Sequence, residues 1–355
     1  MAIHISSGET FPEPARAANV EMGRRDYIST LWRLTRMEIY KLRRRTYSKV
    51  LLFILLSLIG IATLIIGFFA LSQANSPASN LVPPSCATVT KSYCTNTTYT
   101  SAQLTQIKSE TMQSNANALG FPGSLAIIAI VFSQGLMALL GLALLGPITG
   151  GEYSMGTIRL LFTRGPTRLQ CMLAKVSASL IYTVAMLLIL AVVYILVGML
   201  VYPMAGEPYS YTFGHLHSSG FGILFGNSLL LIVIAIGYWF TYGMMALFFG
   251  TLGRSTAAAI GAAFSWYVLE SLLSFGMGFL QGKVQTGPIH ELAKALPTYL
   301  LSNNFGSLVQ NRLHTLFGQQ LSPISDIHAL IVLAVYLVVL IGGSCLLAAR
   351  RDVTN

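Results

Sequence analysis

Six stretches of the chain run almost without polar interruption: residues 50–71, 124–148, 176–201, 221–249, 256–280 and 329–349. Each matches the roughly 20 apolar residues that a helix needs to cross about 30 Å of hydrocarbon. Five of them carry no charged side chain, and the other carries only Glu270. Barrel strands would instead show segments of about 10 residues alternating in polarity. The pattern predicts an all-α polytopic membrane protein with six transmembrane helices, separated by outer loops at 72–123 and 281–328.

The segment before the first span has a different period. Over residues 27–42, Ile28, Leu31, Trp32, Thr35, Ile39 and Leu42 recur at helical spacing, while Arg25, Arg33, Arg36 and Arg44 fall mostly off that stripe. This predicts an interfacial amphipathic helix over residues 24–49, lying in the membrane plane with a basic face. A basic anchor that only sets orientation is the simpler alternative. Residues 1–23 lack an apolar core and include Pro12 and Pro14, so they read as a disordered cytoplasmic tail rather than a signal peptide, and the first span as an uncleaved anchor.

Composition sharpens this. Of 355 residues, 54% are hydrophobic and 10% charged, whereas soluble domains carry about 25% charged residues. A soluble protein is excluded. The net charge of +10 does not indicate nucleic-acid binding, because the charges interrupt long uncharged runs. Their placement instead gives orientation. Seventeen Lys and Arg fall before the first span, between spans two and three, between four and five, and after the last, against five in the outer segments. Both termini are expected in the cytoplasm of a multi-pass cell-membrane protein.

The outer loops offer little chemistry. Cys86 and Cys94 lie in the first, on the oxidising side of this topology, as a disulfide or as two free thiols. In the second, residues 292–301 predict either a short helix that enters the outer leaflet and turns back at Pro297, or a helix lying on the surface. The six histidines form no pattern of metal ligands, and no catalytic constellation is evident.

The informative connection is the inner one between spans two and three, residues 150–170. Gly150 and Gly151 are expected to break the second span, with Glu152 near the start of the next segment, where a carboxylate suits the helix dipole. Residues 157–163 carry Ile158, Leu160, Leu161 and Phe162, too apolar for a solvated loop, and Pro166 with Thr167 can open the next helix. A short greasy helix flanked by Arg at both ends calls for a cytosolic partner.

These residues resemble a known signature. Glu152, Gly156-Thr157, Arg159-Leu160-Leu161, Thr163-Arg164, Pro166, Arg168 and Lys175 look like the loop of ABC-2-type permeases. There an acidic residue and Gly-Thr precede a Leu-rich stretch, a basic-Pro-x-Arg run and a Lys opening the third span. Gly165 is a minor departure, and residues 1–23 and 72–123 match nothing in the family. The six-span layout over residues 24–351 is also similar. The resemblance implies a membrane subunit whose loop forms a coupling helix seated in a groove of an ATPase. It implies that Glu152, Gly156, Thr157, Ile158, Arg159, Leu160, Leu161, Thr163, Arg164, Pro166 and Arg168 form the coupling region. Glu152 would pin the loop, with Arg residues of the 24–49 helix as expected partners; an exposed Glu capping a helix is the alternative.

No G-x-x-x-x-G-K-[ST] sequence is present and the inner loops are short. ATP and Mg are therefore expected in a separate partner, two ABC ATPase subunits, with no cofactor or metal held by this chain. A second permease copy, as a homodimer, or a related permease would complete the pathway. Gly222 and Gly226 in the fourth span, and Ala257, Ala258, Gly261 and Ala262 in the fifth, are small enough for close helix contact. Glu270, the lone membrane carboxylate, is a candidate for the transport pathway or for a buried hydrogen bond, with Tyr267, Trp266 and Ser271 nearby in sequence. The expected substrate is hydrophobic or amphipathic and exported. Rival classes are an ion-coupled transporter or channel, which would usually carry several intramembrane charges, and an intramembrane enzyme, which would need paired catalytic groups.

Overall fold

A computed structural model describes residues 24–82, 99–120, 123–132, 135–155, 166–205, 221–284, 286–317 and 320–350, and among these the chain forms helices and turns with no strand. The helices are α1 (Arg24–Arg44), α2 (Thr46–Asn75), α3 (Ser101–Leu119), α4 (Gly123–Phe132), α5 (Gly135–Leu145), α6 (Pro147–Ser154), α7 (Arg168–Val201), α8 (Phe221–Gly253), α9 (Thr256–Lys283), α10 (Pro288–Ala295), α11 (Leu301–Phe317) and α12 (Asp326–Arg350). Five of them, α2, α7, α8, α9 and α12, are long and apolar enough to cross a membrane. The chain is an all-α multi-pass membrane protein.

The apolar stretch at 124–148 is built differently. It is carried by α4, α5 and the start of α6, each shorter than a span. Pro147 stands at the first turn of α6, where its missing N–H costs nothing.

Helix α8 is the axis of the bundle. Of its apolar window 67% is buried inside the protein, against 17% for α9 and for α12. Trp239, Tyr242, Met244 and Ala246 are fully buried, and α4, α5, α6, α7, α9, α11 and α12 all pack against it. The outer helices keep large apolar side chains exposed, among them Phe53, Phe68, Leu200, Phe275 and Val338. Because hydrocarbon solvates such groups, this is the surface expected of lipid-facing helices. Helix α2 buries only a stripe, Ser48, Leu51, Leu55, Ile59, Thr63, Gly67 and Ala70, at i+3 and i+4 steps.

Three local features differ from the sequence expectation. Gly150 and Gly151 do not break the chain: α6 runs through them. Their smallness serves packing instead. A Cβ on Gly150 would lie 2.7 Å from Ser255 O and 2.7 Å from Thr256 Cα, so only glycine lets α6 meet the start of α9. Gly250 adds to the same crossing, 3.3 Å from the Gly150 nitrogen when given a Cβ. Second, the basic segment 24–49 is not one helix. Arg45 is extended (φ −67°, ψ 126°) and separates α1 from α2. Third, the 72–123 segment contains a helix, α3, opened by a capping box between Thr100 and Gln103. Lys108 Nζ donates to Ser76 O (3.0 Å), and Asn115 Nδ2 to Gln73 Oε1 (2.8 Å), docking α3 on the end of α2. Cys86 and Cys94 lie outside the described residues.

The 281–328 segment is a helical hairpin. α10 leads into a 3-10 turn, Leu296–Tyr299, containing Pro297, and α11 follows. Asp326, in the first turn of α12, accepts from Asn311 Nδ2 (2.7 Å) and pairs with Arg312, which ties α11 to α12.

Gly150→Ala forces backbone against backbone and is expected to destabilise by about 1–3 kcal/mol, read as a lower thermal midpoint in detergent. Gly261→Ala meets nothing within 4 Å and is expected to hold or raise the midpoint, since glycine costs a helix about 0.5–1 kcal/mol relative to alanine.

Candidate functional site

The loop singled out by sequence leaves the bundle from the end of α6 and re-enters at the start of α7. Gly156, Thr157, Ile158, Arg159, Leu160, Leu161, Thr163 and Arg164 lie outside the described residues, while both ends of the loop are described. At the re-entry Thr167 is the N-cap of α7, forming a capping box with Gln170. Pro166 precedes it, and Arg168 reaches across to Ala349 O at the end of α12 (3.3 Å).

Four charged side chains converge between these two ends. Glu152 lies near the C-terminus of α6, not at a helix start, and is buried. Its Oε2 accepts from Lys175 Nζ at 2.6 Å and its Oε1 from Lys41 Nζ at 2.9 Å. Glu38 Oε1 accepts from the same two ammonium groups, at 3.3 Å from Lys175 and 3.0 Å from Lys41. Lys175 is 1% exposed, and a further contact to Ile148 O at 3.5 Å completes its surroundings. The cluster therefore sums to zero charge, each carboxylate touching both cations. Taking an ion out of water costs several kcal/mol, so such a group persists only when its pairing is this complete.

The elements fix the geometry. From α1 come Glu38 and Lys41, from α6 Glu152, from α7 Lys175. One turn further along α1, Thr35 Oγ1 and Ser177 Oγ are 2.8 Å apart. At the α1–α2 elbow, Arg45 donates to Pro147 O at 2.9 Å. Residues 35, 38 and 41 of α1, and Arg45 at the elbow after it, thus make a polar seam at i+3 and i+4 steps against α7 and α6. Leu34 and Leu42 are buried beside it. Ile28 and Trp32, 57% and 61% exposed, continue the apolar stripe away from the protein, while Arg33, Arg36, Arg43 and Arg44 are also exposed.

Where the sequence predicts arginines of the 24–49 segment, the partners that hold Glu152 at 2.6 and 2.9 Å among the described residues are lysines. An ammonium is a compact charge with three donors and can bridge two carboxylates in a small space. The sequence reading missed Glu38 and Lys41. A signal existed: Glu38 falls between Thr35 and Leu42 on the apolar stripe of a helix otherwise rich in cations. A carboxylate there must have a buried partner.

The titration of the cluster follows from its geometry. Burial pushes Glu152 up, but Lys175 and then Lys41 outweigh it and hold its carboxyl below the ordinary carboxylate range. Burial pulls Lys41 down, yet Glu38 and Glu152 together raise it above the ordinary lysine value.

Glu270 belongs to a second arrangement, midway along α9. It is buried, and its Oε1 accepts from the backbone N–H of Ser302 at 2.7 Å, its Oε2 from Tyr242 Oη at 3.4 Å. Leu300, immediately before α11, is extended and has no side-chain acceptor to offer. The carboxylate from α9 therefore serves as the missing cap of α11, satisfying one of the N–H groups that every helix start leaves open. Ser271, expected as company, bonds back to Tyr267 O instead.

The protein family described as "Protein of unknown function (DUF2705)" matches residues 85–354. The chain belongs to this family. The matched region includes Glu152, Lys175 and Glu270, whereas Glu38 and Lys41 precede it. No curated protein matches the sequence.

Three outcomes test these geometries in this DUF2705 member. Glu152, being held low, contributes stability that is complete above the ordinary carboxylate value and is lost as pH falls through its folded value. Lys41, being held high, contributes stability that is complete below the ordinary lysine value and is lost as pH rises through its folded value. The thermal midpoint should therefore fall on both sides of a neutral plateau, with Glu152→Gln lowering the plateau and flattening the acid limb. Lys175→Met alone leaves two buried carboxylates sharing the single Lys41 ammonium and should cost about 3–5 kcal/mol, with the double variant Glu152→Gln/Lys175→Met closer to wild type. For the second arrangement, Glu270→Ala removes a cap worth about 0.5–2 kcal/mol and should speed amide exchange at residues 301–305. Glu270→Gln keeps an acceptor and should preserve most of the protection.

Proposed function

We propose that the chain is the transmembrane permease subunit of an ATP-driven transporter, coupled through the loop of residues 150–170 to a separate ATPase and exporting a hydrophobic or amphipathic molecule. In this reading both termini and the ionic cluster face the cytoplasm, and a second permease, identical or related, completes the pathway. ATP and Mg are held by the two ATPase subunits.

One observation carries the reading. Glu152 and Lys175, at the two ends of the loop, are joined to each other at 2.6 Å and both are joined to α1. A loop clamped at its root transmits a push on its tip to α1, α6 and α7 as one body, rather than absorbing it by flexing. That is what a coupling element requires, since interfaces respond to small shifts by moving as packed units. The resemblance of residues 152–175 to the ABC-2 permease loop supports the same reading. So does the engagement of Glu270, the one charged residue of the six apolar stretches, as a helix cap. An ion-coupled carrier would need that charge free to exchange its partner.

The test is reconstitution with a candidate ATPase. Co-assembly should stimulate ATP hydrolysis several-fold. Leu160→Asp with Leu161→Asp should abolish both stimulation and co-purification. Glu152→Arg should uncouple hydrolysis from transport while the complex still forms, and Lys41→Glu should restore part of the coupling. Transport by the chain alone in liposomes, or labelling of a cysteine at position 159 from outside intact cells, would overturn the proposal.

A further inference from the structure

Helix α9 starts against α6 and is about 40 Å long, at 1.5 Å per residue over 28 residues; beyond its far end the α10–α11 hairpin forms an open cavity. Its volume is about 720 Å³, within the range of small-molecule sites and far above what one inorganic ion needs. The walls come from the last turns of α9, from α10 and α11, and from the connection to α12.

The lining sets polar side chains into a partly apolar wall, and its charge is one-sided. His290 and Lys294 of α10 contribute to it, with Gln281, Asn303, Ser307 and Gln310, and no Asp or Glu is among its residues. Glu270 reaches Ser302 from beneath but does not itself line the space. Lys294 is exposed and pairs with no carboxylate among the described residues. Several polar walls are held by second partners. His290 Nδ1 is 2.8 Å from Val284 O; a carbonyl only accepts, so Nδ1 carries the hydrogen and Nε2 remains for a ligand. Gln281 Nε2 donates to Ala293 O (2.6 Å), leaving its carbonyl oxygen. Asn303 is held between Ser274 Oγ (2.9 Å) and Pro297 O (3.1 Å).

We infer that this cavity binds the phosphate-bearing polar part of a small molecule. Lys294 supplies the charge that a phosphate needs, and the imidazole Nε2 beside it can accept from a neighbouring hydroxyl. The amides and hydroxyls supply neutral hydrogen bonds to hydroxyl groups carried next to that phosphate. Walls already fixed by other bonds lose little freedom on binding, which favours a specific ligand over general attraction of anions. The same chemistry is offered by a soluble sugar phosphate and by a phospholipid headgroup. The inference stands independently of the ATPase reading, because it concerns the other end of the molecule.

The experiment uses the full chain. Inorganic phosphate, glycerol and glycerol 3-phosphate are titrated into detergent-purified protein by calorimetry. Phosphatidylglycerol retention is read by native mass spectrometry after release from nanodiscs. We expect saturable, single-site binding of a phosphate-bearing probe, weakened at least tenfold by Lys294→Glu and abolished by Gly306→Phe. Gly306 lines the cavity, and its Cβ position is open. Lys283→Glu, an exposed cation outside the lining, should stay within twofold of wild type. Binding of glycerol 3-phosphate or inorganic phosphate identifies a soluble ligand, and retention of phosphatidylglycerol alone identifies a headgroup; either supports the inference. It is overturned if no phosphate-bearing probe binds, if glycerol binds as well as its phosphate, or if Lys283→Glu weakens binding as much as Lys294→Glu. Lys294→Glu alters only an exposed side chain, so the result stands even where Gly306→Phe fails to fold.

Discussion

Two lysines and two glutamates, three of them withdrawn from water and Lys41 at its edge, together constrain the arrangement at one end of this bundle. Neither Lys175 nor Glu152 could stay charged in its surroundings alone, and each of the four contacts among Glu38, Lys41, Glu152 and Lys175 is within ion-pair distance. Because the cluster draws on α1, α6 and α7, no one of these helices can shift without separating opposite charges. Apolar packing alone would let α1 slide along α7 with little penalty. The ionic seam gives the docking a register, and the Arg45 contact to Pro147 O fixes the elbow from which α2 enters the bundle.

A second carboxylate does comparable work deeper in the bundle. Glu270 projects from a lipid-facing helix, yet it is spent on the first turn of α11. The two arrangements differ in how charge is balanced. In the first, cations neutralise the glutamates directly. In the second, a hydroxyl and a backbone N–H share the load, and the partial positive charge of a helix start stands in for a cation. Between them α8 carries the packing, with aromatic pairs such as Tyr238 with Tyr242 and Tyr238 with Phe305 joining α8 to itself and to α11.

The surface divides in the same way. Large apolar side chains cover the outward sides of α2, α9 and α12, and a cavity with polar groups lies within the hairpin beyond α9. Among the described residues, a Cβ on Gly222, Gly226 or Gly261 would meet nothing within 4 Å, whereas Ala258 and Ala259 are used internally, against Gly253 and Gly250. Small residues on an apolar helix thus have two fates here, and spacing does not distinguish them.

What the sequence determined was whatever a stretch of about 20 residues decides by itself. The bilayer acts on each stretch locally, so five apolar runs could be read directly as span-length helices, and Thr167 with Gln170 marks the start of α7 through a bond three residues long. The Thr100–Gln103 capping box was equally local, although a Thr- and Ser-rich context hid it. Only tertiary structure decided that Glu152 would meet Lys41, 111 residues away, rather than an arginine of the same helix, or that Lys175 would reach back 137 residues to Glu38. The choice depends on which side of α1 faces α7, and that is set by the packing of the whole bundle. The same holds for Gly150, whose spacing reads as a helix breaker until Ser255 and Thr256 are seen pressed against it. Charge pairing and close backbone contact are short-ranged in space and indifferent to separation along the chain, so no local pattern could have revealed them.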